Sequence, residues 1–276
     1  MRALPKITKR AAPAFALAAL CACQSVQTTQ SGVVGIDRRQ SMSPLVSSAQ
    51  MDQSAVQAYA QVLGDARKKN QLNQDPAQVA RVRAIANRLI PSTAAFRADA
   101  PGWKWEVNVV TTSEVNAWCM PGGKIAVYTG LITSLKITDD ELAAVMGHEI
   151  GHALREHGRE RASEQMVESL GAQAVGVALG IGDIGTQLTQ TVINVTLTLP
   201  HSRTQETEAD RIGVELAARS GYDPRAAVSL WQKMGRLGGG KPPEWLSTHP
   251  SDETRTRDVQ GYAERVMPLY EAARSR

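Results

Sequence analysis

The sequence predicts an α+β fold, mostly helical, with a small antiparallel sheet next to one central helix. Three observations carry that reading. Apolar residues recur at helical spacing in several segments that open on cap residues. One stretch, Trp103 to Thr129, alternates as strands do and is broken by Pro121-Gly122-Gly123. The strongest helical segment, Thr138 to His157, follows that stretch directly.

The chain has 276 residues, 42% hydrophobic and 21% charged, enough for one large core or two small ones. Residues 1–22 stand apart. Arg2, Lys6, Lys9 and Arg10 precede an alanine-rich apolar run, Ala11 to Leu20, too short to span a bilayer. Leu20-Cys21-Ala22-Cys23 resembles a bacterial lipobox, with Cys23 at the acylated position. The resemblance implies a lipoprotein signal peptide over 1–22 and membrane attachment through a lipid on Cys23. Gln24 follows it where an aspartate would favour the inner membrane, so an outer-membrane lipoprotein facing the periplasm is expected.

The full chain carries 31 Lys+Arg against 27 Asp+Glu. Without the four basic residues of the leader the two counts are equal, so a nucleic-acid partner is not supported. Beyond Cys21 and Cys23 only Cys119 remains, and no intramolecular disulfide is expected. Cys119 lies mid-strand without a CxxC partner and reads as a small hydrophobe.

Residues 23–50 are rich in Ser, Gln and Thr and read as a flexible tether ahead of a folded domain over 51–276. Residues 52–69 form a first helix with Val56, Tyr59, Ala60 and Leu63 on one side. Asp75-Pro76 starts a second, with Val79, Val82, Ile85, Ala86 and Leu89 as its buried stripe and Pro91 at its end. Three strands follow: Trp103–Val109, Val115–Met120 and Lys124–Thr129.

Thr138 and Glu141 have capping-box spacing, and Asp139 and Asp140 suit a helix N-terminus. Leu142, Val145, Met146 and Ile150 form its apolar stripe, and Gly158 is expected as the terminating glycine. His148 and His152 are one turn apart, so both imidazoles can reach one metal ion. Glu149 stands beside them, placed to take a proton from an attacking water.

Residues 159–170 continue as a polar helix. Gly171 to Leu199 is Gly- and Thr-rich, a lid, a membrane-facing patch or an ordinary connector. A helix resumes at His201 and ends at Gly221. In it Glu206 and Asp210 share a face, so one carboxylate can complete a metal site and the other can orient a ligand histidine. Glu208 points elsewhere and reads as a surface charge; as the ligand it would lack a paired acid at i+4. His157 and His201 lie off the ligand pattern and read as structural or solvated. A helix over 225–237, a Gly/Pro-rich break at 238–243, and a last helix to about Arg274 complete the chain.

The run from Asn116 to Leu131 (NAWCMPGGKIAVYTGL), followed by His148-Glu149-x-x-His152, resembles the HtpX and CAAX prenyl endopeptidase family of gluzincin zinc metallopeptidases, in its periplasmic lipoprotein branch of BepA- and LoiP-like proteins. The resemblance spans about residues 75–260. It implies a zincin-like fold and one Zn²⁺ per chain, with His148, His152 and Glu206 as ligands and Asp210 supporting a histidine. Glu149 would be the general base. Asn116 and Ala117 would lie on a sheet edge that holds the substrate backbone. His249, in a His-Pro pair, and the downstream Arg255 also match the family; either could donate to the oxyanion. His249 could instead cap the metal or pack at a helix start, and Arg255 could pair with a carboxylate. The implied reaction is hydrolysis of peptide bonds in protein or peptide substrates, misfolded envelope proteins among them. The alternative is a chaperone or assembly factor acting with the outer-membrane assembly machinery, its proteolysis secondary or silenced.

Overall fold

The computed structural model describes residues 23–173, 184–236, 244–250 and 253–275. The leader at 1–22, the middle of the 171–199 stretch and the break at 238–243 lie outside the described residues. The architecture is α+β and mostly helical, as expected.

The central helix, α4 (Asp139–Leu154), opens as its sequence dictates. Thr138 Oγ1 accepts from the Glu141 amide, and the Thr138 amide donates to Glu141 Oε2. Every residue from Glu141 to Leu154 is buried. The helix stops earlier than Gly158. Arg155 is its C-cap, and Glu156 takes the left-handed conformation (φ 52°) expected of a terminating glycine. The next helix, α5 (His157–Gln173), starts at once, which turns His157 back toward α4.

The sheet is built from β3 (Glu106–Val110), β4 (Ala117–Met120) and β5 (Lys124–Tyr128), in the order β3-β5-β4. The β4–β5 hairpin is antiparallel around Pro121-Gly122-Gly123, both glycines at positive φ as a tight turn needs. β3 pairs parallel to β5, so the three-stranded sheet is mixed rather than wholly antiparallel. Both faces are covered. Ala117, Cys119, Ile125 and Val127 pack toward α4 with α2 (Pro76–Ser92). Trp118, Met120 and Ala126 pack on the other side against α1 (Ser48–Lys68) and α6 (Ile184–Ile193). Period-2 alternation therefore separates two cores rather than core from solvent.

Short α3 (Thr129–Leu135) links β5 to α4. The helix α7 (Arg203–Arg219), capped by Ser202, lies along α4; α8 (Ala226–Arg236), α9 (Glu244–Thr248) and α10 (Glu253–Arg274) complete the fold. A five-residue π turn, Asn194–Thr198, precedes α7. Among the described residues no helix is long and apolar enough to cross a membrane.

The expected tether is a correction. Residues 24–47 fold onto the body, with β1 (Gln24–Val26) antiparallel to β2 (Gln40–Met42). Val34, Ile36, Met42 and Val46 are buried. Arg38 reaches Glu160 Oε1 (2.6 Å) and Glu208 Oε1 (2.9 Å). Average composition hid a few apolar anchors and one deeply engaged arginine.

Candidate metal centre

Helices α4 and α7 approach closely enough for their side chains to share one centre. Glycines permit it: a Cβ on Gly213 would stand 2.8 Å from the His148 nitrogen, and one on Gly147 2.9 Å from the Gly213 carbonyl oxygen. His148 and His152 project from one side; Glu206 and Asp210 meet them from the other.

His148 Nε2, His152 Nε2, Glu206 and His249 offer donor atoms that all lie within 4.8 Å of one another. His148 Nε2 is 3.1 Å from His152 Nε2 and 3.2 Å from His249 Nδ1. Glu206 Oε1 is 3.3 Å from His152 Nε2 and 2.9 Å from His249 Nδ1. Four donors roughly 2.0–2.1 Å from one ion at tetrahedral angles stand about 3.4 Å apart, so the set fits such an ion. The hydrogen bonding points the same way. Asp210 Oδ1 is 2.9 Å from His148 Nδ1, which fixes the proton there and leaves Nε2 bare toward the centre. Glu206 Oε2 is buried without a directed hydrogen bond, although Arg255 Nη1 is 2.5 Å away.

Electrostatics prepare the donors. Burial holds the His152 imidazole well below its usual range, and therefore neutral, against the pull of Glu206. Burial would raise Glu206, but His249, Arg255 and hydrogen bonds from His152 and His249 outweigh it and keep it ionised. Burial likewise opposes ionisation of Asp210, and Arg255 and His148 overcome it. Burial would lower His249, yet Glu206 and Glu149 raise it.

Glu149 lies beside this cluster, buried, with Oε1 accepting from Trp245 Nε1 (2.7 Å) and 3.5 Å from His249 Nε2. The 244–250 segment closes over the site. The Trp245 amide donates to the Val115 carbonyl (3.2 Å), and His249 enters the donor set. Of the two expected oxyanion donors, His249 is thus among the donors themselves. Arg255 shows the carboxylate pairing that the sequence left open: it forks onto Asp210 (Nη2 to Oδ1 2.9 Å, Nε to Oδ2 2.5 Å), donates to the Pro250 carbonyl (2.9 Å) and lies over the Trp231 ring. A guanidinium tied to two carboxylates of α7 holds those acids in place.

β4 is an edge strand. The Tyr128 amide donates to the Asn116 carbonyl (3.0 Å), and the alternation of an antiparallel ladder then turns the backbone groups of Ala117 and Cys119 to the side of β4 that carries no strand partner. Ala117 turns its backbone to that side. Asn116 does not: its carbonyl serves β5 and its side chain donates to Glu114 (2.9 Å).

Four more groups border the centre without a clear local signal in the sequence. Trp245 caps Glu149. His201, its ring tilted 37° to that of His152 with centroids 4.0 Å apart, borders a cavity shared with Glu149, His152, Cys119 and Thr196. His157 is fully buried, with Nδ1 2.8 Å from His152 Nδ1 and Nε2 3.0 Å from Glu208 Oε2. Glu208 is no surface charge. Arg155 and Arg38 grip both its oxygens at 2.9–3.1 Å, and with His157 they hold it far below the usual carboxylate range despite burial. Helical periodicity could not find this pair, because the turn at Glu156 redirects His157. Only the five-residue spacing from His152 hinted at it.

A family model described as Peptidase family M48 matches residues 76–263, more than half of the chain. The chain is similar to the mitochondrial metalloendopeptidase OMA1 of Arabidopsis thaliana, 43% identical over 156 residues, covering 56% of this chain and 31% of that protein. It is similar to the beta-barrel assembly-enhancing protease of Yersinia pestis, 29% identical over 70% of this chain and 40% of that one. The metalloprotease YcaL of Escherichia coli K12 is 26% identical over 75% of this chain and 84% of its own length. The chain spans less than half of the OMA1 proteins of Arabidopsis and Bos taurus (31% and 41%).

Proposed function

The chain belongs to peptidase family M48, and from that premise we propose that it is a zinc-dependent metalloendopeptidase acting on unfolded envelope proteins. The observation that carries the reading is the convergence of His148, His152 and Glu206 donors beside Glu149. Borderline-soft nitrogen and carboxylate donors in tetrahedral spacing suit Zn²⁺. Zinc, when bound, supplies a Lewis acid that polarises the scissile carbonyl and acidifies the attacking water.

The chain's own residues do the rest. Glu149 takes the water's proton and passes it to the leaving amine. Asp210 keeps the His148 proton on Nδ1, and Arg255 keeps Asp210 and Glu206 ionised. The outward backbone groups of Ala117 and Cys119 pair with an extended substrate, which favours unfolded segments over folded ones. Since Trp245 and His249 cover Glu149 and the centre, the 244–250 segment must move for a substrate to reach them.

The leader and Cys23 support an outer-membrane lipoprotein facing the periplasm, a setting in which misfolded envelope proteins are the available substrates. Cys23 is exposed directly before β1, so a lipid there would hold the folded body close to the membrane. The covered site favours a second reading, an assembly factor whose proteolysis is held silent; the name of the Yersinia relative suits it. Casein incubated with the purified protein tests the first reading. Cleavage that a chelator abolishes and zinc restores supports it; cleavage indifferent to both contradicts it.

A further inference from the structure

We propose that His157 and Glu208 are positioning residues for His152, forming a one-way relay: His152 Nδ1–H donates to His157 Nδ1, and His157 Nε2–H donates to Glu208. This rests on the reading of His152 as a metal ligand through Nε2.

The direction of the relay follows from the far end. Glu208 is clasped by Arg38 and Arg155, which can only donate, so its carboxylate is ionised and can only accept. His157 Nε2, 3.0 Å from Glu208 Oε2, therefore carries the proton. His152 must present a bare Nε2 to a metal, which places its own proton on Nδ1. That proton faces His157 Nδ1 at 2.8 Å, the one ring atom left to accept it. His152 and His157 are buried, and their rings meet at 70°.

The three acids of one α7 turn thereby divide the work. Glu206 is a donor to the centre. Asp210 supports His148 directly. Glu208, on the other side of α7, supports His152 through His157. A carboxylate behind a ligand imidazole fixes the tautomer and ring orientation and raises ligand basicity. His157 carries that effect across a gap Glu208 cannot span. Arg38, from the N-terminal segment, is part of the same clasp, so residues 24–47 contribute to the centre they pack against.

Zinc affinity measured by chelator competition on the full chain tests the relay. His157→Phe keeps the bulk and loses both bonds; its affinity should fall about 10–100-fold. His157→Gln restores an acceptor and a donor at similar spacing and should bind near wild type. Thermal melts of the metal-free variants separate misfolding from lost positioning. If His157→Phe does not fold, ¹⁵N imidazole spectra of zinc-loaded wild type decide. Nε2–H on His157 with Nδ1–H on His152 supports the relay, and Nδ1–H on His157 overturns it. Equal zinc affinity of wild type and His157→Phe, or a glutamine variant as weak as phenylalanine, overturns the relay alone. A wild type that binds no zinc overturns the ligand assignment and the relay together.

Discussion

Gly147 and Gly213 face each other across the α4–α7 contact with no room for a methyl group. A Cβ on either would come within 3 Å of backbone atoms of the opposite helix. This close approach lets donor side chains on two helices share one centre. Backbone cannot yield as a flexible side-chain tip can, so Gly213→Ala must push the helices apart. The expected cost is roughly 1–3 kcal/mol of stability, with weaker zinc binding. Urea unfolding and zinc titration check this; unchanged values for both would show that the helices tolerate the added carbon.

Glu206 and Glu208 are two residues apart and should fail differently. Glu206→Ala is expected to lose stoichiometric zinc. Glu208→Ala leaves Arg38 and Arg155 without their shared buried carboxylate and should cost roughly 3–5 kcal/mol of stability. Metal content and melting temperature of the two variants distinguish them. Zinc lost in Glu208→Ala while Glu206→Ala stays loaded would reverse the assignment.

His249 completes a set of four protein donors, and a catalytic centre needs one position open. His249→Ala is therefore expected to keep zinc and to cleave casein faster than wild type. A loss of cleavage with zinc retained would return His249 to the role of oxyanion donor.

Acid should weaken the fold through Glu160. Its bonds from Arg38, Gln205 and Gln40 outweigh burial and bring its pKa down from 4.5 to about 2. The unfolded chain then takes up this proton first, so the stabilisation is complete above about pH 4.5 and is lost as pH falls toward 2. At about 1.36 kcal/mol per pH unit this is on the order of 3 kcal/mol. Urea midpoints at pH 6.5 and 3.5 measure it; equal midpoints would contradict the clasp.

What the chain order revealed depended on range. The capping box at Thr138, the Pro-Gly-Gly turn and the i, i+4 pairs on α4 and α7 are local, and each is in place. The direction of β3 was not legible, because parallel pairing with β5 depends on a crossover rather than on alternation. Glu208 looked exposed because its partners come from residues 38, 155 and 157, two of them beyond a helix end set by a glutamate at positive φ. Arg255 lies beside the centre, and only its contacts show which acids it holds.

In the proposed reaction Glu149 moves the proton at a zinc centre. Casein hydrolysis by Glu149→Gln against wild type, at equal zinc content, tests it most directly. Glutamine keeps the shape and can still accept from Trp245, but it cannot take a proton. The expected result is a rate lower by about 10²–10⁴-fold with zinc retained. Hydrolysis at the wild-type rate would contradict the claim.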